Sequence, residues 1–154
     1  MIVVVCGPPA AGKTTIARGV RNALDEQDID VRLFHSEDVS SPTYERLYRL
    51  ADAAADTDAD VVMIDGTVYK REWQTQFRTL DLEDVRFVYV TASLETCLER
   101  NRCRAEPIDE SGVHVIYREF HEPDADLVID TDKLSASTAV DRIVDAIDRW
   151  MEPS

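Results

Sequence analysis

Apolar runs and helical stripes alternate along this chain from end to end. Ile2 to Cys6 is an unbroken apolar run, mostly β-branched, the pattern of a strand buried on both faces. Ile16, Val20, Ala23 and Leu24 then recur at helical spacing, with Arg18, Arg21 and Asp25 off that face, and predict a first helix. Val31 to His35 predicts a short second strand ending in the polar cluster His35-Ser36-Glu37-Asp38. Ser41 before Pro42 predicts a capped helix start, with proline at the first helical position and Tyr44, Leu47, Ala51 and Ala54 on the helix that follows. Val61 to Asp65 is a buried strand with a carboxylate at its tip, turned by Gly66-Thr67 into a helix carrying Lys70, Arg71, Trp73, Phe77 and Leu80. Val85 to Val90 is a fourth strand, and Ser93 caps a helix with Leu94, Cys97 and Leu98 inward and Arg100 at its end. Asn101 to Gly112 shows little periodicity and reads as a mobile lid, after which Val113, Ile116, Tyr117 and Phe120 restore helical spacing until Pro123. Leu127 to Ile129 is a fifth strand, and Ser135 caps a last amphipathic helix with Val140, Ile143, Val144, Ile147 and Met151 in one stripe. Strands alternating with helices imply an α/β fold, a five-stranded parallel sheet with helices on both faces and a small lid at about residues 101–112, in one domain spanning 1–154.

The turn between the first strand and the first helix reads Gly7-Pro8-Pro9-Ala10-Ala11-Gly12-Lys13-Thr14-Thr15. Its G-x-x-x-x-G-K-T spacing, between a strand and a helix, is the Walker A phosphate loop. A loop that wraps a phosphate turns its backbone N–H groups inward, through conformations that glycine adopts cheaply, and the next helix points its N-terminal dipole at the same anion. Gly7, Pro8, Ala10, Ala11, Gly12, Lys13, Thr14 and Thr15 are therefore the expected nucleotide-binding residues. Lys13 is expected on the β- and γ-phosphates, and the Thr14 hydroxyl on Mg²⁺.

The hydrophobic share of 44% supports a globular core, and the longest apolar run falls far short of the roughly eighteen residues that a membrane span needs. No basic region precedes the apolar start, which reads as a strand rather than a signal peptide. Cys6, Cys97 and Cys103 are odd in number and lack C-x-x-C spacing, so a cytoplasmic, reducing location is expected. No pattern in the chain sets an oligomeric state.

Charge changes the picture more. Thirty-one acidic residues against seventeen basic ones give −14, and only Lys13, Lys70 and Lys133 are lysines. Such a field repels nucleic acid, membranes and nucleotides at low salt. Acid enrichment with few lysines resembles the proteins of salt-loving organisms, since molar salt shortens the Debye length to about 3 Å and mutes the repulsion. A halophilic source is expected. Activity and folding should then rise as KCl is titrated upward from about 0.1 M; a chain folded and fully active at the low end contradicts that expectation.

Phosphoryl transfer asks a protein for positioning and charge neutralisation, and the strand tips carry both. Asp65 is the expected magnesium partner, acting through water, with a strand-end acid capping the turn as the plainer alternative. Asp38 is the candidate acceptor of the hydroxyl proton, with Ser36 beside it on the substrate side, although Ser-Glu-Asp is also ordinary capping sequence. Arg100, Arg102 and Arg104 are candidates to close over the phosphates, because guanidinium is planar and always charged. Lys70 and Arg71 are candidates to hold a phosphate or sulfate of the acceptor. Cys103 with His114 and His121 matches no zinc spacing, and no Asn-Lys-x-Asp element marks a guanine-reading switch.

The stretches GPPAAGKTT, SED, VVMIDGTVYKRE, LERNRCR and REFHEPDADLVIDTDKLS, in that order, resemble the P-loop kinases that include adenylylsulfate kinase, 5′-hydroxyl polynucleotide kinases, zeta-toxin-like kinases and seryl-tRNA(Sec) kinase. The resemblance implies an acceptor-side role for Asp38, a second acidic position at Asp65, a lid with Arg100 to Arg104, and packing of adenine against Thr131 to Leu134. The tail is similar to adenylylsulfate kinase, but the Asp-Gly-Asp-Asn and Phe-Ile-Ser-Pro elements of that enzyme are missing. The Asp65-Gly66-Thr67 turn and the R-x-R-x-R lid are closer to the polynucleotide kinase and zeta-toxin branch. The implied activity is transfer of the γ-phosphate of ATP, with Mg²⁺, to a hydroxyl of a nucleotide, an RNA or DNA end, or a small molecule. Adenylylsulfate kinase-like chemistry and an NTPase or switch without an acceptor are the alternatives.

Overall fold

The helices and strands follow the order that the sequence pattern dictates. In the computed structural model, which describes residues 1–80 and 84–152, the chain runs β1 (Ile2–Cys6), α1 (Lys13–Glu26), β2 (Val31–His35), a 3₁₀ turn (Ser36–Asp38), α2 (Thr43–Ala55), β3 (Val61–Asp65), α3 (Arg71–Phe77), β4 (Val85–Thr91), α4 (Leu94–Arg102), α5 (Glu110–Glu119), β5 (Leu127–Asp130) and α6 (Ala136–Met151). The strands form one wholly parallel sheet in the order β2-β3-β1-β4-β5. This is the α/β P-loop kinase fold. β1 lies at the centre, and ligands in such sheets collect outside the carboxyl ends of the strands.

Both faces of the sheet are covered. Val3 and Val5 point into a core with Ile16, Val20 and Leu24 of α1 and Ile143 and Ile147 of α6. Ile2, Val4 and Cys6 point into the opposite core with Leu47 and Ala51 of α2 and Phe77 of α3. A strand buried on both sides has no solvent face to mark by polar residues, which is why β1 and β3 read as continuous apolar runs. Cys6 and Cys97 are buried free thiols and Cys103 is exposed; burial pushes the Cys6 thiol up to about 12, so it stays protonated and unreactive. No helix among the described residues is long and apolar enough to cross a membrane.

Several boundaries differ from the sequence reading, each for a local reason. α2 begins at Thr43 rather than at Pro42, which keeps extended backbone just ahead of the helix, while the Thr43 hydroxyl donates to the Val39 carbonyl. α3 ends at Phe77, leaving Leu80 outside. The largest difference is the lid. α4 continues through Arg102, and α5 starts at Glu110, where the Asp109 side chain accepts from Ser111 N. Asn101, buried at the end of α4, donates to the Ile108 carbonyl and accepts from the Ile108 N–H. The irregular segment therefore shrinks to residues 103–109, tied at its far end by one asparagine.

Candidate functional site

β1 delivers the chain at Cys6 into a loop that α1 closes. Gly7 has a φ of 154°, and a Cβ there would stand 1.8 Å from the Val90 carbonyl oxygen of β4. Only glycine lets the loop leave so close to its neighbouring strand. Ala10 and Gly12 also take positive φ, 63° and 103°. Left-handed residues set among right-handed ones give the concave, N–H-lined backbone that receives an anion. No side chain caps the first turn of α1, so its N–H groups and dipole stand available to the same anion.

Lys13, only 8% exposed, folds back so that its Nζ donates to the Pro8 carbonyl at 2.8 Å. Burial pushes its ammonium down from the usual lysine range, and the negative charge of Asp65 opposes that shift. A polyphosphate entering the loop adds negative charge beside Lys13 and raises it again. Between the lowered and the restored value the bound state carries more protons than the free one, so binding takes up protons and affinity falls as pH rises. Calorimetry of ADP binding at alkaline pH, in buffers of different ionisation enthalpy, should show that uptake as observed heats that differ with the buffer; identical observed heats in every buffer would count against it.

Asp65, at the tip of β3, is 2% exposed and is held by two donors at one oxygen. The Thr14 hydroxyl donates to Oδ2 at 2.8 Å, and His35 Nδ1 lies 2.7 Å from the same oxygen. Thr14 has spent its only proton on Asp65, so its lone pairs remain for a cation. A hydroxyl and one carboxylate suit Mg²⁺, which keeps most of its water and takes its other ligands from phosphates rather than from an all-protein cage. Among the described residues no group of three or more His, Cys, Asp or Glu side chains is placed to hold a metal ion.

A cavity of about 490 Å³ opens beside these groups. It is lined by the phosphate loop and the start of α1 from Pro9 to Thr15, by Ser36, Glu37, Asp65 and Thr67 at and after the ends of β2 and β3, and by Arg18, Arg100, Arg104, Ile108 and Ile116. Arg100 is anchored: Nη1 donates to the Ala11 carbonyl at 3.0 Å and to Thr131 Oγ1 at 2.8 Å, and Nη2 donates to the Thr131 carbonyl at 3.2 Å. It ties the phosphate loop to the end of β5. Arg104 reaches from the segment after α4 to Glu37 at the end of β2, forming an ion pair of 2.5 Å across the cavity. Three guanidinium groups and an ammonium thus gather in a chain of net charge −14.

Not every residue singled out in the sequence reaches this cavity. Asp38 does not line it, whereas Ser36 and Glu37 of the same 3₁₀ turn do. Arg102 points to Glu110, with which it forms an exposed ion pair. Lys70 lies 5.0 Å over the ring of Trp73, and neither it nor Arg71 is on the wall. Gly7 and Pro8 shape the loop from behind, and Ala11 offers its carbonyl to Arg100 and Thr131. His35 and Glu37, named in the sequence only as part of a polar cluster at the end of the second strand, and Arg18 were not singled out there as site residues. Arg18 was legible, because it lies one helical turn beyond Thr14 and Thr15.

Val68, just after the Gly66-Thr67 turn, is a buried β-branched residue at a φ of 44°. Such strain persists only where neighbours impose it. Here the Tyr44 hydroxyl accepts from Val68 N and Gln74 Nε2 donates to the Val68 carbonyl. The Tyr44 hydroxyl also lies 2.5 Å from Thr67 Oγ1, so α2 and α3 jointly hold the turn that carries Asp65.

Comparison with known proteins agrees with this fold. The family model described as "AAA domain" matches residues 2–123. Among solved structures, Kti12 of Chaetomium thermophilum in complex with ADP-AlF3 superposes with a TM-score of 0.82 at 18% identity, covering 99% of this chain and 100% of that one. A sugar kinase from Janibacter sp. gives 0.76 at 20% identity over 96% of this chain and 94% of that one. The APS kinase of Mycobacterium tuberculosis in complex with AMPPNP and APS gives 0.72 at 19% identity over 96% of each chain. At these identities the likeness is one of fold.

Proposed function

The chain belongs to the AAA domain family, and from that premise we propose that it is an ATP-dependent phosphotransferase whose acceptor is a hydroxyl group. The single observation that carries the reading is the composition of one cavity. It joins a phosphate loop, a Thr14–Asp65 pair suited to Mg²⁺, the arginines Arg18, Arg100 and Arg104, and the carboxylate of Glu37.

The loop N–H groups, Lys13 and Thr15 receive the phosphates, and Thr14 with Asp65 would hold Mg²⁺, which when bound neutralises phosphate charge. Of the two carboxylates in the 3₁₀ turn Glu37, rather than Asp38, lines the cavity, and it takes the proton of the acceptor hydroxyl. The acceptor oxygen bonds to the γ-phosphorus as the bond to the β–γ bridging oxygen breaks, and ADP leaves with that electron pair. Arg104 changes partner from Glu37 to the triphosphate. That exchange supplies positive charge to the transferring group and releases the base in one movement. Arg100 acts by holding the loop, because its donors are already committed to Ala11 and Thr131.

The acceptor we favour is a nucleotide or a 5′-hydroxyl end of RNA or DNA, on the strength of the Asp65-Gly66-Thr67 turn and the R-x-R-x-R run that ends α4 and continues to Arg104. A small-molecule acceptor, as in the APS kinase with which the fold is shared, is favoured by the net charge of −14, which repels a polyanion at low salt. The acidic, lysine-poor composition supports function at molar salt in a cytoplasm. ATP labelled at the γ-position, incubated at low and molar KCl with adenylylsulfate, nucleosides, a 5′-hydroxyl oligomer and tRNA, tests the reading. Label on one acceptor is the expected result. Label released only as free phosphate under every condition overturns it in favour of an NTPase.

A further inference from the structure

We infer that His35 is a positioning residue for the magnesium site: its Nδ1–H pins one oxygen of Asp65 so that the other is presented toward the cation. The inference rests on the phosphotransfer reading and extends it to a residue outside the cavity wall. β2 and β3 pair in parallel with His35 opposite Asp65, so the two side chains leave the sheet side by side at its carboxyl edge. The His35 side chain is 10% exposed and that of Asp65 3%, which places the contact away from bulk water. Because the acceptor is a carboxylate, the hydrogen of the 2.7 Å contact belongs to Nδ1, whether or not the ring is charged.

Oδ2 of Asp65 therefore receives two donors from two elements, Thr14 from α1 and His35 from β2. Two donors on one oxygen fix the rotation of the carboxylate. Among the described residues no hydrogen bond engages Oδ1, which is left to a magnesium-bound water. If His35 is replaced by an apolar residue, the carboxylate keeps only Thr14, a group that must itself turn its lone pairs to the metal. Partners that orient a metal-binding carboxylate are worth about 10- to 100-fold in metal affinity.

ADP affinity measured in EDTA and across a Mg²⁺ series tests this without any phosphate transfer. His35→Leu keeps volume and removes the donor; it should leave ADP affinity in EDTA unchanged and raise the Mg²⁺ half-point by about 10- to 100-fold. His35→Asn retains an N–H near the Nδ1 position and should restore most of the difference. A Mg²⁺-dependent wild type with an unaffected His35→Leu, or an asparagine variant as impaired as the leucine one, overturns the inference while leaving the phosphotransfer reading intact. A wild type whose ADP affinity ignores Mg²⁺ overturns that reading and this inference together. A readout independent of any variant is the His35 Nδ1–H proton resonance of the wild-type ADP complex. It should shift when Mg²⁺ is added, and a resonance that does not move overturns the inference too.

Discussion

Replacing Lys13 with alanine is expected to lower phosphoryl transfer by about 10²- to 10³-fold, the loss that follows when one preorganised donor leaves a transition state. The size of the effect comes from burial. Lys13 is 8% exposed, so no water is ready to take over its charge, and its position in the loop leaves no other ammonium nearby. The same burial disfavours the ammonium in the folded chain, with Asp65 opposing. Function and stability therefore part company: the rate should collapse while the melting temperature stays level or rises, the usual signature of a site held at a cost to stability. Stopped assays of labelled ATP at saturating acceptor, beside a melting curve, separate the two. Wild-type turnover in Lys13→Ala would sink the phosphate-loop assignment.

Glu37→Gln is expected to reduce kcat by about 10²- to 10⁴-fold, the range assigned to a positioned general base. Glutamine keeps the shape but cannot take the acceptor proton. It also releases Arg104 from its ion pair across the cavity, so ATP binding should hold or tighten slightly even as transfer fails. Asp38→Asn, one residue away, should have little effect because Asp38 is not on the cavity wall. The contrast decides between neighbouring carboxylates. If Asp38→Asn loses transfer and Glu37→Gln does not, the base has been placed on the wrong residue.

That contrast also marks the limit of what the sequence discloses. The phosphate loop was legible because its chemistry demands particular residues at particular spacings: glycine at Gly7 to clear Val90 and at Gly12 for a φ of 103°, then lysine and a hydroxyl. The five strands were legible because buried strands write themselves as apolar runs, and their parallel pairing because helices alternate with them, whereas their order in the sheet was not. The choice between Glu37 and Asp38 was not. In a 3₁₀ turn successive residues point about 120° apart, and only the packing of Ser36–Asp38 against its surroundings decides which one meets the cavity. His35 was hidden for a different reason: its partner Asp65 lies thirty positions away, and the pairing register that joins them is a property of the sheet. The lid was overdrawn because Asn101 and Asp109 end and begin helices through polar side chains, which periodicity does not register.

Stabilisation of a phosphoryl group in transfer by this cavity can be tested without knowledge of the acceptor. Calorimetric titration of ADP with Mg²⁺, in the presence and absence of aluminium fluoride, compares a planar mimic of the transferring group with the product alone. Affinity should tighten by at least about 10²-fold with the fluoride, the lower bound for transition-state mimics, and the gain should disappear in Lys13→Ala. Equal ADP affinity with and without the fluoride, in a folded wild-type chain, would contradict that stabilisation.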